Sequence, residues 1–238
     1  MNVALIFAGG AGARMNSKSK PKQFLELHGK PIIIYTLEVF DRHPDIDKIA
    51  IVCIESHIDE LKKCIVRFDL KKVSLIVTGG KSGFDSIFNG LDALKNECDQ
   101  DDIVLIHDGV RPLIDEQLIS DNIKCAREYG NAVTAVPVTE GIIISKDGKI
   151  ADDFPDRKLM YATKAPQSYN YFMIYDLYKK AYKEGFTSIE SAHLCKHYGI
   201  ELHIVKGSYN NIKITTPTDY YVFRALYEII ENNQVIGY

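Results

Sequence analysis

Short apolar runs alternate along this chain with stretches whose apolar residues recur at helical spacing. Val3-Ala4-Leu5-Ile6-Phe7 reads as a buried strand, as do the runs 49–53, 73–77 and 103–106. Between them, 31–40 (opening on Pro31 in a first helical turn), 58–68 and the stretch from Ser86 to Leu94 read as helices. Asp115 to Tyr129 is a further helix and Ala132 to Val138 a further strand. Strands joined by helical crossovers pack as parallel neighbours. The pattern therefore predicts an α/β fold with a doubly wound, mostly parallel, Rossmann-like sheet. Ligands of such sheets bind beyond the carboxyl ends of the strands. Gly9-Gly10, Gly79-Gly80 and Asp108-x-x-Arg111 each follow a strand directly and should gather along that edge.

The alternation breaks at Gly141. Residues 142–150 read as a β-hairpin turning at Asp147-Gly148, an arm at about 139–156 with an exposed apolar face that needs a partner. Helices from about Asn170 to Lys183 and from Glu190 to Tyr198 follow, then a strand from Leu202 to Val205. A last helix, Thr218 to Asn232, has Pro217 near its start. No internal repeat, low-complexity segment or linker interrupts the chain, and one domain over 1–238 is expected.

The first strand runs into a loop with three glycines in four positions, Gly9, Gly10 and Gly12, followed by the cations Arg14 and Lys22. Glycines let the backbone approach a ligand closely, and free N–H groups beside flexible cations suit a polyphosphate. The familiar fingerprints fail. A dinucleotide motif counted from Gly10 meets Met15 where its last glycine belongs, which disfavours a dehydrogenase, and no Gly-Lys-Ser/Thr completes a P-loop. A glycine-rich turn without a ligand is the plain alternative, and the two cations weigh against it.

Bulk properties exclude several classes. A formal net charge of −3 with both signs evenly spread gives no basic footprint for nucleic acid. No apolar run approaches membrane-spanning length and no leader pattern opens the chain, so a cytoplasmic protein is expected. Five scattered cysteines without C-x-x-C spacing read as reduced, structural thiols. His193-x-x-x-His197 lacks a third ligand and reads as surface rather than as a zinc site.

Ala8-Gly9-Gly10-x-Gly12-x-Arg14-Met15, followed by Pro21-Lys22-Gln23-Phe24, resembles the N-terminal signature of nucleotidyltransferases that load a small sugar or polyol phosphate onto CTP. The resembling families are the ribitol-5-phosphate and methylerythritol-phosphate cytidylyltransferases, of the nucleotide-diphospho-sugar transferase fold, and the resemblance runs from Val3 to about Tyr227. It implies a Mg²⁺-dependent homodimer, joined through the arm, that binds CTP and a polyol phosphate. It places Arg14, Lys22 and Lys213 at the reacting phosphates, and Ala8, Gly9, Gly10, Gly12, Gly80, Lys81 and Ser86 around the nucleotide. Asp108, Arg111, Arg157 and Glu190 fall on the acceptor side, Arg157 reaching across the dimer, with Asp108 a candidate metal ligand. Any one of these cations alone reads as solvated surface. Four matches, at Arg14, Lys22, Arg157 and Lys213, are harder to dismiss. Asp108 with Arg111 also reads as a purely structural ion pair.

The departures fall on the substrate-reading positions. Gly83 stands where the families carry Arg in the base-reading loop, Lys81 replaces an acidic residue, Ala165-Pro166-Gln167 replaces Thr-Pro-Gln, and Gly141 falls on an acceptor-contacting Thr. Glu190, in Ile189-Glu190-Ser191-Ala192, is the remnant of an acidic motif. Val110 and the tail 213–219 lean toward the ribitol-phosphate enzymes. The expectation is a cytidylyltransferase making a CDP-polyol from ribitol 5-phosphate for cell-wall or capsular polymers. Methylerythritol 4-phosphate and isoprenoid synthesis are the alternative, and a catalytically silent nucleotide-binding regulator the rival of another class.

Overall fold

The computed structural model describes residues 1–9 and 20–236, the side chains through 232. Strand β1 (Asn2–Ala8) lies inside the sheet, with Val3, Ala4, Leu5 and Ile6 fully buried. After the loop come two short strands, β2 (Glu26–Leu27) and β3 (Lys30–Pro31), and helix α1 (Ile32–Arg42). Pro31 sits just before α1 rather than in its first turn. Then follow β4 (Lys48–Cys53), α2 (Ile58–Arg67), β5 (Val73–Thr78), α3 (Gly83–Ala93), β6 (Ile103–Asp108), α4 (Glu116–Tyr129) and β7 (Asn131–Pro137). The second half adds β8 (Tyr161–Asn170), α5 (Tyr171–Glu184), α6 (Ser191–His197), β9 (Ile204–Lys206) and α7 (Pro217–Ile236).

The seven strands of the main sheet run in the order β5-β4-β1-β6-β8-β7-β9. β5, β4, β1 and β6 are parallel, β8 runs antiparallel to both β6 and β7, and β9 is parallel to β7. The chain steps outward from β1 through β4 to β5, then returns to place β6 on the other side of β1. That reversal makes a switch point, where the loops after neighbouring strands diverge and leave a crevice. Two apolar layers cover the sheet. Ile33, Leu37, Leu61, Leu118 and Ile119, from α1, α2 and α4, pack on one face. Phe84, Ile87, Leu91, Tyr171 and Leu194, from α3, α5 and α6, pack on the other. A smaller cluster of Ile32, Tyr35, Val110, Ile214 and Phe223 fastens α7 and the segment before it.

The expected hairpin at 142–150 is not formed. One antiparallel bridge, Ile144 to Asp153, and a bond from the Lys146 N–H to the Asp152 carboxylate close the arm, and Asp147 accepts from the backbone N–H groups of Lys149 and Ile150 to make a compact turn. An alternating apolar run becomes a ladder only where a partner strand and a buried face stabilise it. Here Ile143, Ile150, Phe154 and Leu159 remain exposed. Strand β8 had no counterpart in the sequence pattern. Its residues Tyr161-Ala162-Thr163-Lys164 show no apolar alternation, and pairing with β6 and β7 organises them.

All five cysteines are unpaired thiols, and burial raises the pKa of Cys53 to about 11 and of Cys98 and Cys195 to about 12. His193 and His197 stand exposed on α6, the latter stacked on Phe186 at 3.9 Å. Among the described residues no helix is long and apolar enough to cross a membrane.

Candidate active site

Parallel register brings the predicted stretches together. Phe7 of β1 lies opposite Asp108 of β6, and Ala8 opposite Cys53 of β4. The backbone just beyond β1 lies close to the backbone just beyond β5, and a Cβ on Gly79 would stand 3.3 Å from Gly9 Cα. A Cβ on Gly9 would stand 2.8 Å from Ser86 Oγ, and one on Gly80 would stand 2.3 Å from Asp85 Cβ. Ser86, buried in α3, donates its hydroxyl to the Ser82 carbonyl (2.8 Å) and accepts from the Gly80 N–H (3.1 Å). Its first task is thus to brace the loop. Ser82 and Asp85 form a reciprocal capping box at the start of α3, and Lys81 stands exposed on the same turn.

Gln23 pins the turn that carries Lys22. It is buried and donates to the Ala8 carbonyl at 2.7 Å, tying the one-turn helix Lys22–Phe24 to the end of β1. Lys22 is thereby held near the end of β1. Gly10, Gly12 and Arg14 lie outside the described residues.

Asp108 ends β6 almost fully buried, between two cations. Arg111 Nε bonds one of its oxygens at 2.8 Å and Lys213 Nζ the other at 2.5 Å. Burial alone pushes this carboxyl's pKa up, but Lys213 and Arg111 together outweigh it and hold the group below its ordinary value. The preceding residue, His107, points to the opposite face against Phe40, where burial pushes its pKa down to about 4. The imidazole is neutral and bonds the Arg111 carbonyl at 3.2 Å.

Lys213 arrives from the far end of the chain on a segment fixed at several points. Asn211 donates to the Ala165 carbonyl (2.6 Å), and its own carbonyl accepts from Arg111 (3.0 Å). Ile214 is fully buried and bonds the Val110 carbonyl. Beyond it, Thr216 and Asp219 cap α7 reciprocally, with Pro217 in the first turn. Lys213 also lies 5.6 Å from the centre of the Phe7 ring.

A small, solvent-open cavity lies beside Asp108, on the α3–α6 face of the sheet. Arg111, Lys213 and Glu190 line it with Asp108, so three of the four expected acceptor-side residues share one pocket with an expected catalytic cation. Glu190, just before α6, accepts from the Thr163 hydroxyl (2.8 and 3.0 Å) and from Gln167 (3.4 Å). Arg157 stands apart, on the arm, donating to the Thr139 carbonyl at 2.8 Å. Thr163 and Lys164 also line the cavity, and sequence reasoning passed over both. The available signal was their place directly before Ala165-Pro166-Gln167. The rim thus offers cations for phosphate oxygens and carboxylates for hydroxyls.

The family described as IspD: 2-C-methyl-D-erythritol 4-phosphate cytidylyltransferase matches residues 2–228. A ribitol-5-phosphate cytidylyltransferase of Vibrio parahaemolyticus is 45% identical over 238 residues, covering all of both chains. A 2-C-methyl-D-erythritol 4-phosphate cytidylyltransferase of Clostridium botulinum is 39% identical over 218 residues, 92% of this chain and 93% of its own. Among solved structures, a 4-diphosphocytidyl-2C-methyl-D-erythritol synthase of Anaerococcus prevotii superimposes with a TM-score of 0.83 at 28% identity, covering 95% of this chain and 96% of its own. With matched residues spanning the sheet, both glycine loops and the Asp108–Lys213 rim, this chain belongs to the IspD family of cytidylyltransferases, a nucleotidyltransferase class.

Proposed function

We propose that this enzyme transfers CMP from CTP to D-ribitol 5-phosphate, releasing pyrophosphate and CDP-ribitol. The observation that carries the acceptor is the end-to-end match to relatives named for ribitol 5-phosphate, at higher identity than those named for methylerythritol phosphate. The reaction is an in-line displacement. A phosphate oxygen of the acceptor attacks the α-phosphorus of CTP, the new P–O bond forms, and the bond to pyrophosphate breaks with its electron pair. No covalent enzyme intermediate is needed, so catalysis comes from alignment and from cations that meet the developing charge.

In this reading the glycine loops at 8–12 and 79–80 seat the nucleotide, with Lys81 on the same turn and Ser86 keeping the second loop in shape. Arg14, Lys22 and Lys213 stabilise charge on the five-coordinate phosphorus and on pyrophosphate. Asp108 and Glu190 accept from acceptor hydroxyls, and Arg111 keeps Asp108 ionised and oriented. Mg²⁺ takes six oxygens and commonly sits on substrate phosphates with one or two carboxylates. The donor set fits that habit. Asp108, in register with Phe7 at the end of β1, is a buried carboxylate held ionised by two cations, an oxygen donor of the kind such an ion takes. The ion would neutralise triphosphate charge there, with Asp108 as its protein ligand.

The apolar arm, with Phe154 and Leu159 exposed, fits a homodimer contact that carries Arg157 to the partner's acceptor phosphate. A cytoplasmic enzyme feeding cell-wall or capsular polymers follows from this product. The test is pyrophosphate release with Mg²⁺ and CTP across ribitol 5-phosphate, other pentitol phosphates and methylerythritol 4-phosphate. Ribitol 5-phosphate should give the highest kcat/KM. Preference for methylerythritol 4-phosphate, or CTP binding with no turnover on any acceptor, would overturn the assignment.

A further inference from the structure

The acceptor cavity holds one cation that the reaction above leaves unused. Lys164 lies half-buried in its wall, on β8 between Thr163 and Ala165. Asp108 pairs with Arg111 and Lys213, and Glu190 accepts from Thr163 and Gln167, which leaves lone pairs on both carboxylates for substrate hydroxyls. No carboxylate among the described residues comes within ion-pair distance of the Lys164 ammonium. Burial, with the Arg111 charge second, pushes its pKa down. A desolvated ammonium beside a guanidinium lacks a counter-charge, and an anion entering the cavity supplies one.

The cavity also carries a fixed acceptor. Both Glu190 oxygens are oriented by the Thr163 hydroxyl, and Gln167 is itself held by the Ala192 N–H (3.0 Å) and the Tyr169 hydroxyl (3.0 Å). Apolar Phe7, Ile87 and Ile106 complete the lining. The complement of such a cavity is a molecule with an anionic group and a run of hydroxyl donors. The geometry points to Lys164 as an acceptor-specificity residue: its ammonium takes the phosphate of a phosphorylated polyol whose hydroxyls donate to Glu190. This rests on the site being that of a polyol-phosphate cytidylyltransferase. Lys164 holds the substrate, and the bonds made and broken are unchanged.

The test compares full-length Lys164→Met and Lys164→Arg with the parent enzyme. Loss of one charged hydrogen bond should raise the acceptor KM about tenfold or more in Lys164→Met, with the CTP KM within about twofold. Lys164→Arg should keep the acceptor KM within about threefold, because the charge remains. The inhibition constant of inorganic phosphate against the acceptor should rise with the acceptor KM. An acceptor KM unchanged in Lys164→Met, or equal rises for CTP and acceptor, overturns the role. If the parent enzyme turns over no polyol phosphate, the functional reading falls instead, and the lysine is then judged by calorimetric titration of inorganic phosphate. Binding lost in Lys164→Met upholds an anion site at Lys164, and equal binding in both proteins overturns it.

Discussion

The two sides of the rim recognise by different means. On the β1–β5 side, position is set by backbone. Gly9 and Gly79 bring two loops together, with a Cβ on Gly79 only 3.3 Å from Gly9 Cα, Gly80 folds tightly onto Asp85, and Ser86 and Gln23 hold the loops with hydrogen bonds. On the β6–β8 side, position is set by charge. Arg111, Lys213, Lys164, Asp108 and Glu190 share one cavity, of which only Lys164 stands on β8, the strand that runs against its neighbours. A backbone cradle serves any nucleotide triphosphate in one way and tolerates little change. A cavity of charged side chains is retuned by single substitutions. The difference explains how one fold serves several phosphorylated acceptors.

Lys213→Ala tests the charged side most severely. On the proposed mechanism it removes a transition-state cation, and kcat should fall about 10²-fold or more in pyrophosphate release. A loss under about threefold would take Lys213 out of the reacting centre. Gly80→Ala tests the backbone side. The new Cβ collides with Asp85, so the loop must shift, at a cost of about 1–3 kcal/mol in urea unfolding. The CTP KM should rise several-fold while the acceptor KM stays near its parent value. If the acceptor KM rises equally, the two sides are not separable.

His107 lies beneath the charged side, and its effect reads as pH dependence. Its folded pKa is depressed from 6.5 to about 4, so unfolding takes up a proton as pH falls between those values. The stability associated with the neutral imidazole is present above pH 6.5 and lost progressively toward pH 4. Denaturant melts should show that decline, and His107→Asn should flatten it. An identical slope in both proteins would deny His107 the effect. The smallest change is Ser86→Ala, which removes one buried donor and one acceptor for about 1 kcal/mol. It should raise the CTP KM modestly and leave the acceptor KM alone.

The inner parallel strands β4, β1 and β6 were legible because they are buried on both faces and read as unbroken apolar runs, as Ile49 to Cys53 shows. The glycine loops and Asp108-x-x-Arg111 were legible because each directly follows a strand. The arm was misread because apolar alternation marks a strand only where something pairs with it, and Ile144 finds a single bridge. Lys164 was passed over because a lysine in a polar stretch looks solvated until the strand beside it is placed.

The chain's own order of residues determined the winding of the sheet and the edge at which its chemistry collects. Local apolar period and strand-ending glycines are properties of neighbouring residues, and neighbours suffice to read them. Tertiary structure alone decided which charges meet. Asp108 and Lys213 stand far apart in the chain and touch only because Ile214 is buried beside Val110 and Asn211 is tied to Ala165. Thr163 reaches Glu190 only because β8 enters the sheet against its neighbours. Ion pairing depends on distance in space, and the fold sets that distance.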